Sequence, residues 1–482
     1  MRSLARVVTP LLAVLLASCS SGSSSSGPSS PADVRYAYVL MGPGGVAVAR
    51  AITVAPTCPA ISFDGGAAVQ MSLHAAAASI PDRPTAYDDV YDPGPSAFPV
   101  TTCDAEIPAG TARAAIGDRS LPVPRATVRR LLLIGDTGCR MKARPPPEHG
   151  QYQDCDDPAA WPFRAIVEEA ATFAPDLVVH LGDFHYRETP CPAGTPCGAV
   201  TSYGFGWSSW EPDFFSPAER LLAAAPWIVV RGDHEVCNRG GQGWWRFLDP
   251  RPVQPYQDCN DPAYDGVGNY GEPYVVPIDV DAVAVVLDTG SVSDLAWDPW
   301  RDESVIYNQQ VQDAFAMAAP WPHAILVNHQ PFLAYNSGGS KDPGKPDPGV
   351  TELQGVLGWI YGELLVPGAV DLILNGHVHK AEVTSYTTGQ PPSFVVGNGG
   401  TNLIPTFTEL LDPPTPYPGG TLDTSEYMDS PTWGFATMER SGAGWLVTYH
   451  DQDGSVRNAC SVAGRVLSCT NPTPTPTPPT LR

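Results

Sequence analysis

Short apolar runs recur along this chain, and from about residue 127 onward they alternate with segments of helical spacing. Arg130–Ile134, Leu177–Leu181, Trp227–Val230, Ala282–Leu287, Ala324–Val327 and Val370–Leu374 read as strands. Trp161–Phe173, Pro217–Ala225, Gln309–Ala318 and Thr351–Leu365 place apolar residues at helical intervals. Strand following helix in this way predicts a layered α/β domain over 127–455. Lys380–Tyr386, Ser393–Val396, Gly434–Met438 and Trp445–His450 add late strands that close its sheets. Before it, 32–126 reads as a small β-rich domain, with Tyr36–Leu40, Val46–Val54 and Ala67–Leu73 set between Gly- and Pro-rich breaks. Residues 456–482 form a Cys-paired end and a Thr/Pro-rich, extended tail. No internal repeat is found.

The ends change the picture by giving the chain an address. Arg2 and Arg6 precede an apolar stretch, Val7–Leu16, that is too short to span a bilayer. Leu16-Ala17-Ser18-Cys19 resembles a bacterial lipobox, which implies a signal peptide over 1–18 and a lipid anchor on Cys19. A plain secretory leader is the alternative, but the Ser/Gly/Pro stretch over 19–31 is the flexible tether an anchored domain needs. The expected location is therefore the cell envelope, periplasmic or outer surface, with membrane contact through the anchor alone.

Composition fits export. Of 11 cysteines, ten remain once Cys19 is set aside. They fall into local pairs: Cys58 with Cys103, Cys139 with Cys155, Cys191 with Cys197, Cys237 with Cys259, and Cys460 with Cys469. No Cys-x2-Cys pair suggests a zinc site. With 28 basic and 51 acidic residues the net charge is −23, which excludes a general nucleic-acid binder and charge-driven docking on anionic lipid. Oligomeric state is left unspecified.

The candidate chemistry lies just after strands. The motifs are Gly135-Asp136-Thr137-Gly138, Gly182-Asp183-Phe184-His185-Tyr186, Gly232-Asp233-His234-Glu235, Leu326-Val327-Asn328-His329 and Gly376-His377-Val378-His379. A single Gly-Asp pair is usually a turn, and a single strand-end histidine is usually a hydrogen-bonded core residue. Five in this order supply carboxylate and imidazole donors, which suit hard cations and transition metals respectively. Two ions about 3.5–4 Å apart can clamp a phosphoryl group and generate hydroxide.

The ordered set resembles the calcineurin-like metallophosphoesterases, and within them the purple acid phosphatases, over roughly Arg130–His379. The resemblance implies an α/β-β/α sandwich and hydrolysis of phosphate esters by metal-bound hydroxide. Most of the superfamily begins with Asp-x-His, but here that position is Gly138, and Tyr186 takes the missing ligand's place as in purple acid phosphatases. Carried over by motif, Asp136, Asp183, Tyr186 and His379 hold Fe(III). Asp183, Asp233, His329 and His377 hold a divalent ion: Fe, Zn or Mn. His234 steadies the phosphate or protonates the leaving alcohol. His185, within the second motif, is a second candidate catalytic residue that could line the pocket or else be a supporting or surface histidine. Arg187 and Lys380 could meet a phosphate, though basic residues on loops are most often solvated.

Asp233 stands where the family has Asn, and its extra charge is expected to disfavour a dianionic monoester relative to a diester. Leu326 for Val is a packing change. Tyr203, Trp207 and Trp210 could wall the pocket or simply pack a loop. The expected activity is thus a dinuclear-metal phosphoester hydrolase acting on small phosphate esters. The alternatives are a phosphodiesterase acting on nucleotides or phospholipid headgroups, and a non-catalytic surface lipoprotein on the same scaffold.

Overall fold

A computed structural model of the chain describes residues 30–80, 96–143, 150–197, 200–293, 297–334, 351–404, 415–417, 420–422 and 424–470. The leader, Cys19, nearly all of the tether and the tail beyond 470 lie outside the described residues.

Two large sheets face each other. The first runs in the order Val466–Cys469, Val456–Ala463, Gly444–Asp451, Gly434–Ser441, Arg130–Ile134, Leu177–His180, Trp227–Val229, Val34–Met41, Ala47–Thr53, Thr101–Ile107, Ser72–Ala75. The second runs Tyr274–Pro277, Ala282–Val286, His323–Val327, Val370–Asn375, Ser393–Val396, Ala381–Tyr386, Thr424–Ser430. Alternation along each strand builds the layers. Leu131 and Leu133 join Val179, Ile228, Ile325, Leu372 and Phe394 in the core between the sheets. Leu132 and Ile134 point the other way, onto the helices Phe163–Thr172 and Ser216–Ala224. Val283, Val285 and Leu326 pack beneath the outer helices Asp302–Ala318 and Thr351–Tyr361. The result is the expected α/β-β/α sandwich.

The β-rich segment precedes this sandwich in sequence and adds to it in space. Val34–Met41 runs parallel to Trp227–Val229, with Leu40 opposite Trp227, and antiparallel to Ala47–Thr53. Four of its strands therefore extend the first sheet. Arg50 fastens the extension: it is fully buried, pairs with Asp104 at 2.8 Å and donates to the Asp249 carbonyl at 2.7 Å.

All five expected disulfides are present. Cys460 and Cys469 sit opposite each other in a closing hairpin, Val456–Ala463 with Val466–Cys469. Such bridges point to an exported protein. Among the described residues, no helix is long and apolar enough to cross a membrane.

Candidate metal centre

In both sheets the central strands are parallel, and their carboxyl ends converge. Asp136, Asp183, Asp233, His329 and His377 follow Ile134, His180, Val229, Val327 and Asn375, so each motif emerges at the same edge of the sandwich. Asp136, Asp183 and His377 hold φ values of 55°, 57° and 68°. Two aspartates and a histidine, types that enter the left-handed region more readily than most, make the sharp turns at these strand ends.

The donors gather in two overlapping groups. Asp183, Asp233, His329 and His377 form one, and Asp136, Asp183 and His379 the other; within each group the donor atoms lie within 4.8 Å of one another. In the first, His329 Nε2 is 3.3 Å from Oδ1 of both Asp183 and Asp233, and His377 Nδ1 is 3.0 Å from Asp233 Oδ1. In the second, His379 Nε2 is 3.5 Å from Asp136 Oδ1. The Tyr186 hydroxyl completes it, at 2.5 Å from Asp183 Oδ2, 3.1 Å from Asp136 Oδ1 and 3.0 Å from His379 Nε2. Two ligand tautomers are set by carbonyls. His329 Nδ1 donates to Leu181 O at 2.7 Å and His379 Nδ1 to Asn402 O at 2.9 Å, leaving both Nε2 lone pairs toward the cluster.

Glycines make room for this crowding. A Cβ at position 138 would lie 2.8 Å from Asp213 Oδ2 and Tyr186 N, and 2.9 Å from Phe184 O. Gly138 therefore supplies no ligand and also leaves the space through which the Tyr186 segment enters. A Cβ at Gly232 would fall 2.0 Å from Asp183 Oδ1.

Electrostatics show what such a cluster demands. Burial pushes the Asp136 carboxyl well above the usual range, helped by Asp183 and opposed by His329. Although burial opposes it, Asp183 and Asp233 lie well below that range because His329, His234 and, for Asp233, His377 face them. Burial, with Asp183 and Asp136, raises the Tyr186 hydroxyl. Three carboxylates and a phenol packed together favour cations among them, and a cation would reverse the pressure on Tyr186. The donor set fits a metal pair.

Two buried carboxylates hold the loops. Glu235 accepts from the N–H groups of Gly232, Asp183, Phe184 and His185. Burial and Asp183 raise it to about 8. Asp213 accepts from the N–H groups of Cys139, Tyr186 and Arg187.

His234 lies against the ligands. Its N–H donates to Asp183 Oδ1 at 3.0 Å and its ring sits 3.9 Å from that of Tyr186. Its Nδ1 is 3.0 Å from Glu188 Oε1, and Arg140 Nη1 donates to its Nε2 at 3.0 Å. Burial and Arg239 lower it to about 4. Arg239 joins Glu188 to the cluster, at 2.6 Å from Glu188 Oε1 and 2.8 Å from Asp233 Oδ2. It thereby sets a cation, shared with Glu188, against the added charge of Asp233.

His185 has different surroundings. Its ring is fully buried and packs on Phe205 and Trp210, and neither nitrogen finds a partner among the described residues. Arg187 and Lys380, the two candidate phosphate contacts, are both buried on carboxylates. Arg187 is buried on Asp213 at 3.1 Å and over Trp161, and Lys380 is buried between Glu382 and Asp429 at 3.0 and 3.1 Å. Trp207 and Trp210 pack into the core with Phe215 and Phe247 rather than lining a pocket. Sequence reading passes over Arg140, Glu188, Asp213 and Arg239; the one local signal was proximity, since Arg140 lies four residues after Asp136 and Arg239 six after Asp233.

Residues 129–381 match the sequence profile of the calcineurin-like phosphoesterases, and the chain belongs to that family. It is a metallophosphoesterase in class. Among solved structures, a purple acid phosphatase isolated from yellow lupin (Lupinus luteus) seeds superimposes with a TM-score of 0.54 at 14% identity, over 89% of this chain and 74% of that one. PhoD superimposes with a TM-score of 0.51 at 12% identity, over 91% of this chain and 92% of that one. At these identities the likeness is one of fold. No curated protein matches the chain significantly.

Proposed function

We propose that the chain is a phosphate-ester hydrolase of the purple acid phosphatase kind. Asp136, Asp183, Tyr186 and His379 would hold Fe(III), and Asp183, Asp233, His329 and His377 a divalent ion, Fe, Zn or Mn. The observation that carries this reading is the Tyr186 hydroxyl, set among Asp136, Asp183 and His379 beside a position where only glycine fits. When bound, such a pair polarises a phosphoryl oxygen and brings the pKa of a water toward neutrality. The chain's own residues do the rest. Asp183 joins the two halves, and Glu188 faces Nδ1 of His234, so that Nε2 is the atom left for substrate. Once a phosphate draws Arg140 away from Nε2, that nitrogen can take up a proton from water and pass it to the departing alcohol, with Glu188 at Nδ1 stabilising the imidazolium in between. The substrate is a small phosphate ester. Anchoring through Cys19 to the bacterial envelope is part of the same reading, supported by the lipobox-like segment and the disulfides.

The test is metal analysis with an absorbance scan of purified protein, beside release of p-nitrophenol from its phosphate. We expect a tyrosinate-to-Fe(III) band that Tyr186→Phe abolishes, together with weakened iron retention. A colourless, zinc-filled, fully active protein would remove iron but keep the hydrolase. Failure to hydrolyse with both sites filled would overturn the reading.

A further inference from the structure

Resting on that reading, we propose that Arg140 binds a non-bridging oxygen of the substrate's phosphate and so selects phosphomonoesters over diesters. Arg140 is only 6% exposed, yet every group that holds it is neutral. Its backbone N–H donates to Gln153 Oε1 at 2.8 Å and its Nε to Gln151 Oε1 at 3.1 Å, while Nη1 donates to His234 Nε2 at 3.0 Å. Its guanidinium lies 4.8 Å from the centre of the Tyr186 ring. Among the described residues no carboxylate pairs with it, and Nη2 has no hydrogen-bond partner.

Its neighbours contrast with it. Arg187 is matched by Asp213, Arg231 by Asp288, and Arg239 by Asp233 and Glu188. Arg246 is likewise buried on neutral groups, the Ala76 carbonyl and the Phe98 ring, but of the two only Arg140 touches residues of the candidate centre, His234 and Tyr186. A buried charge calls for a counter-charge, and a planar guanidinium matches phosphate oxygens well.

The loop is built to hold that position. The Cys139–Cys155 bridge starts at the preceding residue, and Met141–Lys142 pairs with Gln151–Tyr152 just after it. Gln153 is fixed in turn by donating to the carbonyls of Ala160 and Gly400. Arg140 thus stands beside both Tyr186 and His234, the first of them a candidate ligand. A monoester has three non-bridging oxygens and a diester two. Were two of them taken up by ions held in the ligand cluster, only the monoester would keep one for Arg140.

The experiment titrates inorganic phosphate calorimetrically into metal-loaded wild type, Arg140→Gln and Arg140→Lys. It also measures kcat and KM for p-nitrophenyl phosphate and bis(p-nitrophenyl) phosphate. Loss of a charge-assisted contact should weaken phosphate binding and raise the monoester KM about 10- to 100-fold in Arg140→Gln. Metal content should stay unchanged and the diester KM should move less than about twofold, with Arg140→Lys recovering part of the loss. Phosphate binding in Arg140→Gln as tight as in wild type would overturn the proposal, as would equal loss on both esters. A wild type that holds two metals and hydrolyses neither ester would refute the hydrolase reading instead, and the phosphate titration would still decide the role of Arg140.

Discussion

Asp233→Asn would restore the family's residue, yet the structure says this chain has built around the carboxylate. Oδ1 faces His329 Nε2 and His377 Nδ1, whereas Oδ2 receives Arg239 Nη1 at 2.8 Å. Arg239 is 7% and Asp233 27% exposed in their side chains, so this is a largely buried pair. At that separation and an effective dielectric of about 20, the two charges attract by about 6 kcal/mol before solvation is counted. Water at the Asp233 edge and the second carboxylate, Glu188, reduce the net cost of losing the charge to about 2 kcal/mol. An asparagine cannot satisfy both sides. With its oxygen toward the histidines, it turns an amide donor on a guanidinium donor; flipped, it presents the donor to the metal-facing side. We therefore expect Asp233→Asn to lose about 2 kcal/mol of stability and to weaken one metal, and Asp233→Ala to lose that metal. Asp233→Asn and Arg239→Gln together should cost about 1 kcal/mol less than the sum of the two single changes, because either one alone already removes the same ion pair, while Arg239→Gln also takes from Glu188 its guanidinium. Urea denaturation of the four forms of the cycle, with metal content beside it, measures the coupling. Additivity within about 0.5 kcal/mol would show that the two side chains act independently and would refute the argument.

Two further outcomes follow from particular contacts. Gly138→Ala should lower stability by about 1–3 kcal/mol, because its Cβ would lie 2.8 Å from Asp213 Oδ2 and from Tyr186 N; a melting temperature within a degree or so of wild type would mean the loop yields freely. On the outer helices, burial and Glu352 raise Glu303 to about 7 from its ordinary 4.5, so the folded state holds a proton the unfolded chain releases. That contribution is complete below about pH 4.5 and is lost as the pH rises through about 7, so Glu303→Gln should flatten the fall in melting temperature across that interval, and an unchanged slope would clear Glu303 of the role.

The strands and ligands were legible for the same reason. Each catalytic loop interrupts an apolar run with residues that tolerate turn geometry, so Ile134 followed by Gly135-Asp136, or Asn375 by Gly376-His377, is visible without any knowledge of partners. Partners are what a local pattern lacks. The run Tyr36–Leu40 announces a strand but not that Leu40 lies beside Trp227, so a segment that reads as separate turns out to lengthen the main sheet. The last hairpin hides because Asn458, fully buried, breaks the apolar alternation that Cys460 and Val462 continue. Charged residues are the hardest of all. Arg187 and Lys380 read as loop cations that could meet a phosphate, no local pattern singles out Arg140 or Arg239, and all four are buried. What separates them is the identity of the group opposite: Asp213 for Arg187, Glu382 and Asp429 for Lys380, Glu188 and Asp233 for Arg239. Of these four only Arg140 faces neutral groups, and that comparison of counter-charges is what the proposal for Arg140 rests on. A cation matched inside the fold holds the fold together; the one left unmatched beside a ligand cluster is the one with an anion still to bind.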